Sequence, residues 1–308
     1  MQRRHFLLGA AGAAASLPAQ AQKAKKGFDF IQVDVFAQAP LGGNPLAAFP
    51  DARGISDAQM MGITRELNHS ETTFILPPEK GGDARVRIFG SEGEIPFSGH
   101  PTLGTAFVMA LTRPGKKALV LEEGVGPIAV TLERRTDGTF VEMTQTEPVF
   151  GPKAEPKMVA DAFGFSADEI DSRYPIQSVS TGAVRLIIPL KSVSTLAKLT
   201  LGHQLPADQR AIYSGSNFFV VNGEADIEAR FLGFSSEDPA TGSAGGCAAA
   251  YLVQYGIRKP EEHIAIHQGR FVGRPSIVYV RTGGATGKPT NVRVGGYVVE
   301  AMRGKFTV

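Results

Sequence analysis

Glu237-Asp238-Pro239-Ala240-Thr241-Gly242-Ser243-Ala244-Gly245-Gly246 runs directly into Cys247-Ala248-Ala249-Ala250-Tyr251-Leu252. An acid-Pro pair leads into a glycine-rich turn, and a run of small helix-forming residues follows. Proline suits the first position of a helix, and an aspartate just before it can cap the free amides. The stretch therefore predicts a helix N-terminus with Asp238 as cap, its unpaired N–H groups and positive dipole end open to an anion.

A second stretch has the same pattern. His100-Pro101-Thr102-Leu103-Gly104-Thr105-Ala106 precedes the apolar run Phe107-Val108-Met109-Ala110-Leu111. Set against Asp238-Pro239-Ala240-Thr241-Gly242-Ser243-Ala244, the shared pattern is His or Asp, Pro, two residues, Gly, Thr or Ser, then Ala. The copies fall in different halves of the chain, as an internal duplication would place them. Two helix starts then face one small cleft, with His100 and Asp238 opposite each other.

At 308 residues the chain has room for two cores. Its hydrophobic fraction of 43% and charged fraction of 20% are those of a globular protein. Met1 to Leu8 carries the pair Arg3-Arg4, a modest apolar run spans Gly9 to Leu17, and Pro18-Ala19-Gln20-Ala21 ends in an A-x-A cleavage site. The segment resembles a twin-arginine export signal, with a basic general-secretion signal as the alternative. Export predicts a periplasmic or secreted protein. The apolar run is too short to stay behind as a membrane span. Removing 1–21 takes away Arg3 and Arg4 and no acid, so the formal charge falls from +2 to zero. A neutral chain has no electrostatic reason to bind nucleic acid.

After a tail over 22–27, the chain divides into an N-terminal domain over 28–147 and a C-terminal domain over 148–290. The strands of 291–308 are placed to return to the first domain. In the first half, strands are expected at Phe28–Phe36, His69–Leu76, Arg85–Phe89, Ala118–Leu121, Gly126–Leu132 and Phe140–Met143, with a helix from Ser56 presenting Met60, Ile63 and Leu67. Gly90 to Pro96 reads as a loop. The second half offers helices at Lys157–Phe163 and Ser192–Leu199. Its strands are expected at Pro175–Val179, Arg185–Pro189, Ala211–Ser214, Phe218–Val221, His263–His267, Ser276–Arg281, Asn291–Val294 and Tyr297–Ala301. The fold class is α+β rather than a doubly wound sheet.

Thr282 to Thr290 mimics a phosphate loop but is one residue short between its glycines. Pro289 also stands where Ser or Thr would bind magnesium, so the stretch reads as a hairpin turn. No dinucleotide fingerprint follows a strand, and the six histidines lack zinc spacing. Neither cofactor nor metal is expected. Cys247, the lone cysteine, reads as a small packing residue. Glu71 stands out, because carboxylates are depleted in strand-like runs such as Thr72-Thr73-Phe74. Beside apolar surface a carboxylate's pKa rises, which suits an acid/base near neutral pH. The alternative is a strand residue facing solvent.

Four segments carry a resemblance. Gly43-Asn44-Pro45-Leu46-Ala47, Ser70-Glu71-Thr72-Thr73-Phe74, Phe97-Ser98-Gly99-His100-Pro101-Thr102-Leu103-Gly104-Thr105-Ala106 and Glu237 to Ala244 are similar, in this order, to the PhzF-like phenazine-biosynthesis isomerases. The resemblance implies a diaminopimelate epimerase-like fold: two pseudo-symmetric domains, each a curled, mostly antiparallel sheet around a central helix. It also implies no cofactor and a homodimer. In such a family Glu71 moves the proton, His100, Asp238 and Ser243 surround the substrate, and Asn44 lines the site. Amides near Gly99 and Gly242 hold the substrate's carboxylate. The related epimerases use two thiols at these motifs, and neither stretch here has one.

The sequence thus reads as a cofactor-independent isomerase of a small carboxylate. Its rivals are a hydrolase built on Ser243, His100 and Asp238, and a periplasmic binding protein without turnover. The hydrolase lacks a G-x-S-x-G elbow around Ser243 and requires a Ser243–His100 hydrogen bond. The export reading has its own test. Residues 1–30 fused to a reporter carried only by the twin-arginine route should deliver it to the periplasm, and changing Arg3 and Arg4 to Lys should stop delivery. Undiminished export of the Lys-Lys version would refute it.

Overall fold

The structure, a computed structural model, describes residues 26–201, 215–222, 226–233 and 236–308. The export segment and the strand expected at Ala211–Ser214 lie outside these residues.

Strands β1 (Gly27–Val35) and β2 (Asn44–Phe49) pair antiparallel, and α1 (Asp57–Leu67) crosses to β3 (Glu71–Leu76), parallel to β2. β4 (Ala84–Gly90) returns antiparallel. The two-residue β5 (Glu94–Ile95) and then α2 (Gly99–Thr112) lead to β6 (Ala118–Glu123), parallel to β4. A meander through β7 (Gly126–Arg135) and β8 (Gly138–Thr144) follows.

The second half repeats this order after β9 (Val149–Lys153) and α3 (Pro156–Phe163). β10 (Gln177–Ser180) and β11 (Val184–Pro189) pair antiparallel, and α4 (Val193–Lys198) precedes β12 (Ser216–Asn222), parallel to β11. β13 (Asp226–Leu232) returns antiparallel. The two-residue β14 (Glu237–Asp238) and then α5 (Gly242–Gln254) lead to β15 (Ile264–Gln268), parallel to β13. β16 (Ser276–Ala285) and β17 (Lys288–Thr307) complete the second meander. Most pairings are antiparallel, and the class is α+β.

Strand β17 ties the two runs together. It pairs with β16 and β8 along its first part and with β1 from Val298 to Thr307. Strands β1, β2, β3, β4, β6, β7 and β8 thereby close through β17 into a ring. Helix α2 lies within it, and every residue from Gly99 to Met109 is buried. A helix that is apolar on all sides has no solvent face to offer, so its place is inside. Helix α5 is alike, buried from Gly242 to Val253. One apolar core joins Leu103, Phe107 and Val108 of α2 to Ala248, Tyr251 and Leu252 of α5. Smaller cores lie under α1, around Phe49, Met60, Ile63 and Phe74, and under α3 and α4.

Three local expectations change. Asn291–Val294 and Tyr297–Ala301 are one continuous strand, because Gly295 and Gly296 leave room rather than turn the chain. A Cβ on Gly295 would lie 2.8 Å from the Val141 carbonyl oxygen, and one on Gly296 would lie 2.5 Å from the Phe36 ring. The Gly90–Pro96 loop contains β5, and Val149–Lys153 is a strand that short polar flanks conceal. The Thr282–Thr290 stretch is the β16–β17 hairpin, as its sequence indicates.

Glu123, at the end of β6, is buried beneath the first turn of α2. Thr102 Oγ1 lies 2.7 Å from its carboxyl group and 2.8 Å from the Ser98 carbonyl oxygen. The hydroxyl donates to Glu123 Oε1, while the other carboxyl oxygen, Oε2, is buried without a hydrogen-bond partner. Burial accordingly pushes its carboxyl up to about 8. The folded state then holds a proton that the unfolded chain loses above its ordinary 4.5. Stability due to this group is full below that value and falls as pH rises toward 8, by about 1.4 kcal/mol per unit. Glu123→Gln keeps a donor without a titration. Thermal melts across pH 5 to 9 should show a flatter decline in the variant than in the wild type, and parallel curves would refute the assignment.

Candidate active site

The cleft is built where two helices begin. Helix α2 starts at Gly99 after Ser98, and α5 starts at Gly242 after Thr241; neither preceding residue caps its helix with a side-chain hydrogen bond. The first-turn amides are therefore left without the usual side-chain acceptor. The starts abut: a Cβ on Gly99 would lie 3.0 Å from backbone atoms of Gly242 and Ser243. On Gly242 it would meet Phe36 at 3.0 Å and Gly99 at 3.3 Å.

The helix start is not where the acid-Pro pair suggests. Asp238 belongs to β14, opposite Phe231, and Pro239 and Ala240 precede the helix. Gln268 holds this loop extended, donating from Nε2 to the Asp238 carbonyl at 2.7 Å and accepting from the Thr241 amide at 3.3 Å. Asp238 is consequently no helix cap. The repeat also shifts in register. By helix position His100 corresponds to Ser243, both second in their helices, and the counterpart of Asp238 in the first half is a residue of β5, Ile95.

Glu71 opens β3 at the rim of this junction. Its Oε1 accepts from Ser98 Oγ at 3.3 Å, and Oε2 lies 3.5 Å from His100 Nε2. Both Oε2 and Nε2 are buried without a hydrogen-bond partner. Burial lowers the His100 pKa, countered by Glu71 and by a hydrogen bond with Pro45. Pro45 has only its carbonyl to offer, so the imidazole is the donor there. The ring therefore stands neutral at neutral pH.

Asp238 approaches from the other half. Its Oδ1 accepts from Asn44 Nδ2 at 2.7 Å, and its Oδ2 accepts from Thr241 Oγ1. Burial first, then the Glu71 carboxylate, push the Asp238 carboxyl up to about 7. Asn44 is the tie between halves, since Nδ2 also donates to Ala240 O at 2.9 Å and Oδ1 accepts from Ser70 Oγ at 3.4 Å.

Ser243 is buried, and its Oγ accepts from Arg185 Nε at 3.0 Å. His100 Nε2 has no hydrogen-bond partner, so the Ser243–His100 bond of a hydrolase is not formed. The structure thus brings together Glu71, His100, Asp238, Asn44, Gly99, Gly242 and Ser243, and adds Arg185. The strand Arg185–Pro189 was read only as structure. A charge at the head of the apolar run Leu186-Ile187-Ile188 is the same anomaly that singles out Glu71. Cys247 is fully buried, with its thiol 3.2 Å from the Val179 carbonyl oxygen, as a packing residue should be. Among the described residues no cluster of His, Cys, Asp and Glu is gathered as metal ligands would be.

The chain is similar to known proteins along most of its length. Residues 33–304 match the family model described as phenazine biosynthesis-like protein. Trans-2,3-dihydro-3-hydroxyanthranilate isomerase of Pseudomonas fluorescens is 36% identical, covering 91% of this chain and 99% of that protein. Among solved structures, a predicted epimerase from Pseudomonas aeruginosa is 35% identical, with a TM-score of 0.79 over 91% of this chain and 99% of that one. A phenazine biosynthesis protein of Bacillus anthracis shares the fold at 23% identity, with a TM-score of 0.80 over 92% of this chain and 100% of that one. Matched along nearly its whole described length, the chain belongs to the phenazine biosynthesis-like family and is an isomerase.

Proposed function

We propose that this isomerase moves a proton between two carbons of a small carboxylate, with Glu71 as the acid/base. One observation carries the reading: Glu71 Oε2 is enclosed, has no protein hydrogen-bond partner, and lies 3.5 Å from His100 in the first turn of α2. A carboxylate oxygen so placed has a lone pair free for a substrate proton. Oε1 stays tethered to Ser98, which holds the group in one orientation.

The substrate must carry an unsaturated or carbonyl group beside the C–H that Glu71 attacks. Glu71 takes that proton, charge moves into the adjacent π system, and the same carboxyl returns the proton to a carbon farther along. Such a transfer is redox-neutral and needs no cofactor. Amides near Gly99, His100, Gly242 and Ser243 bind the substrate's carboxylate, while Asp238 and neutral His100 orient a hydroxyl or amine. The Pseudomonas fluorescens relative is named for a hydroxy-amino ring acid, and an unsaturated acid of that kind suits this constellation. In the same proposal the repeated connectivity reflects two pseudo-symmetric domains flanking the site, and the active form is an exported homodimer.

The Ser243 hydrolase is the reading to separate from this one. Glu71→Gln keeps size and polarity but cannot abstract a proton. With trans-2,3-dihydro-3-hydroxyanthranilate as the first substrate tried, turnover should fall by about two to four orders of magnitude. Wild-type enzyme in D₂O should place deuterium at one carbon of the product, unless Glu71 returns the original proton before it exchanges. Ser243→Ala should be milder. An active Glu71→Gln enzyme beside an inactive Ser243→Ala enzyme would overturn the proposal.

A further inference from the structure

Arg185 is the odd arginine among the described residues. Among the described residues, every other arginine that is not exposed has a carboxylate within 4.0 Å: Arg230 has Glu237, Arg274 has Asp34 and Arg281 has Glu142, for example. Arg185 instead has the neutral Ser243 hydroxyl at 3.0 Å, the carbonyl of Val184 at 3.3 Å, and the Phe231 ring, whose centroid is 5.2 Å away.

Withdrawing a guanidinium from water is costly unless an anion or several acceptors replace the water. Arg185 is half-buried, and the replacement is partial. A guanidinium has five N–H donors in a planar fork, and two hydrogen bonds leave donors to spare. Burial accordingly lowers its pKa, while Cys247, Asp238 and Glu71 act in the opposite direction. Neither Asp238 nor Glu71 is close enough to form an ion pair with it. Asp238 is already engaged by Asn44 and Thr241, and Glu71 by Ser98.

The position of the charge is as telling as its lack of a partner. Through Ser243, Arg185 is fastened beside the first turn of α5, where the amides are also without a side-chain cap. A fork and a set of free amides beside one another suit a planar anion with two oxygens. We propose that Arg185 grips the substrate's carboxylate together with the start of α5, and so restricts the enzyme to acids over their neutral amides. This rests on the cleft being the substrate site of the isomerase described above.

Isothermal titration of the purified protein with anthranilate and with 2-aminobenzamide tests this, since the pair differs only in replacing a carboxylate by a neutral amide. Wild type should bind the acid at least about tenfold more tightly than the amide, as a charge-assisted hydrogen bond predicts. Arg185→Gln should weaken anthranilate binding by roughly ten- to a hundredfold and abolish the preference. Arg185→Lys keeps the charge without the fork and should fall between, and it decides the matter if Arg185→Gln does not fold. Glu71→Gln should retain the preference. A wild type without preference, or Arg185 variants that bind anthranilate as the wild type does, would overturn the assignment. Those outcomes leave the proton-transfer reading to its deuterium test, and an active Glu71→Gln enzyme would sink that reading while leaving the Arg185 result intact.

Discussion

The backbone contact between Gly99 and Gly242 is the constraint on which the rest depends. Two buried helices meet end to end with no side chain between them, and the atoms crowding each position are largely backbone, which cannot swing aside. Each helix start bears a partial positive charge of about half a unit, so the contact brings like ends together. Such an arrangement is unfavourable unless anions lie near it. Glu71 and Asp238 approach from opposite halves, and both carboxyl groups interact across the junction. The same uncapped amide ends are what the proposed function assigns to the substrate's carboxylate.

Polar side chains keep the junction from sliding. Gln145 donates to the Gly242 carbonyl at 3.2 Å and accepts from Thr181 at 2.6 Å. It reaches there because Gly246 has no side chain: a Cβ would lie 1.9 Å from Gln145 Oε1. Gln268 fixes the loop before α5, and Asn44 links that loop to β2. Each is an amide with both donor and acceptor in use, which is how a buried polar group avoids its desolvation penalty. Gly242 and Gly246 of α5 therefore have separate purposes, one for the opposing helix and one for a glutamine.

The local elements were legible because each has a strong one-dimensional signal. Ser56 followed by Gln59 forms the capping box of α1, and alternating residues mark β1 and β4. Glu71, His100, Asp238, Ser243 and Asn44 stood in segments whose composition departs from ordinary strand or helix usage. What failed was phase. Asp238-Pro239 satisfies the local preferences of a helix start, but strand pairing with Phe231 and the grip of Gln268 hold it extended. Phe231 is nearby in sequence, but Gln268 lies 30 residues further along, beyond the reach of a local pattern. Arg185 escaped for a related reason. A charge ahead of an apolar run hints at it, but what distinguishes this arginine is the lack of a carboxylate in three dimensions.

In the proposed function the two carboxyl groups of the cleft take different tasks because their surroundings differ, not their chemistry. Asp238 is held by Asn44 at one oxygen and Thr241 at the other, so any movement breaks a buried hydrogen bond. With its carboxyl raised to about 7, it changes between neutral and charged near neutral pH, yet it stays fixed in place. That suits a group that orients a substrate. Glu71 has one oxygen tethered and the other bare, with a neutral imidazole 3.5 Å away. A proton shuttle needs that asymmetry: a fixed lever arm, and a lone pair that nothing in the protein already occupies.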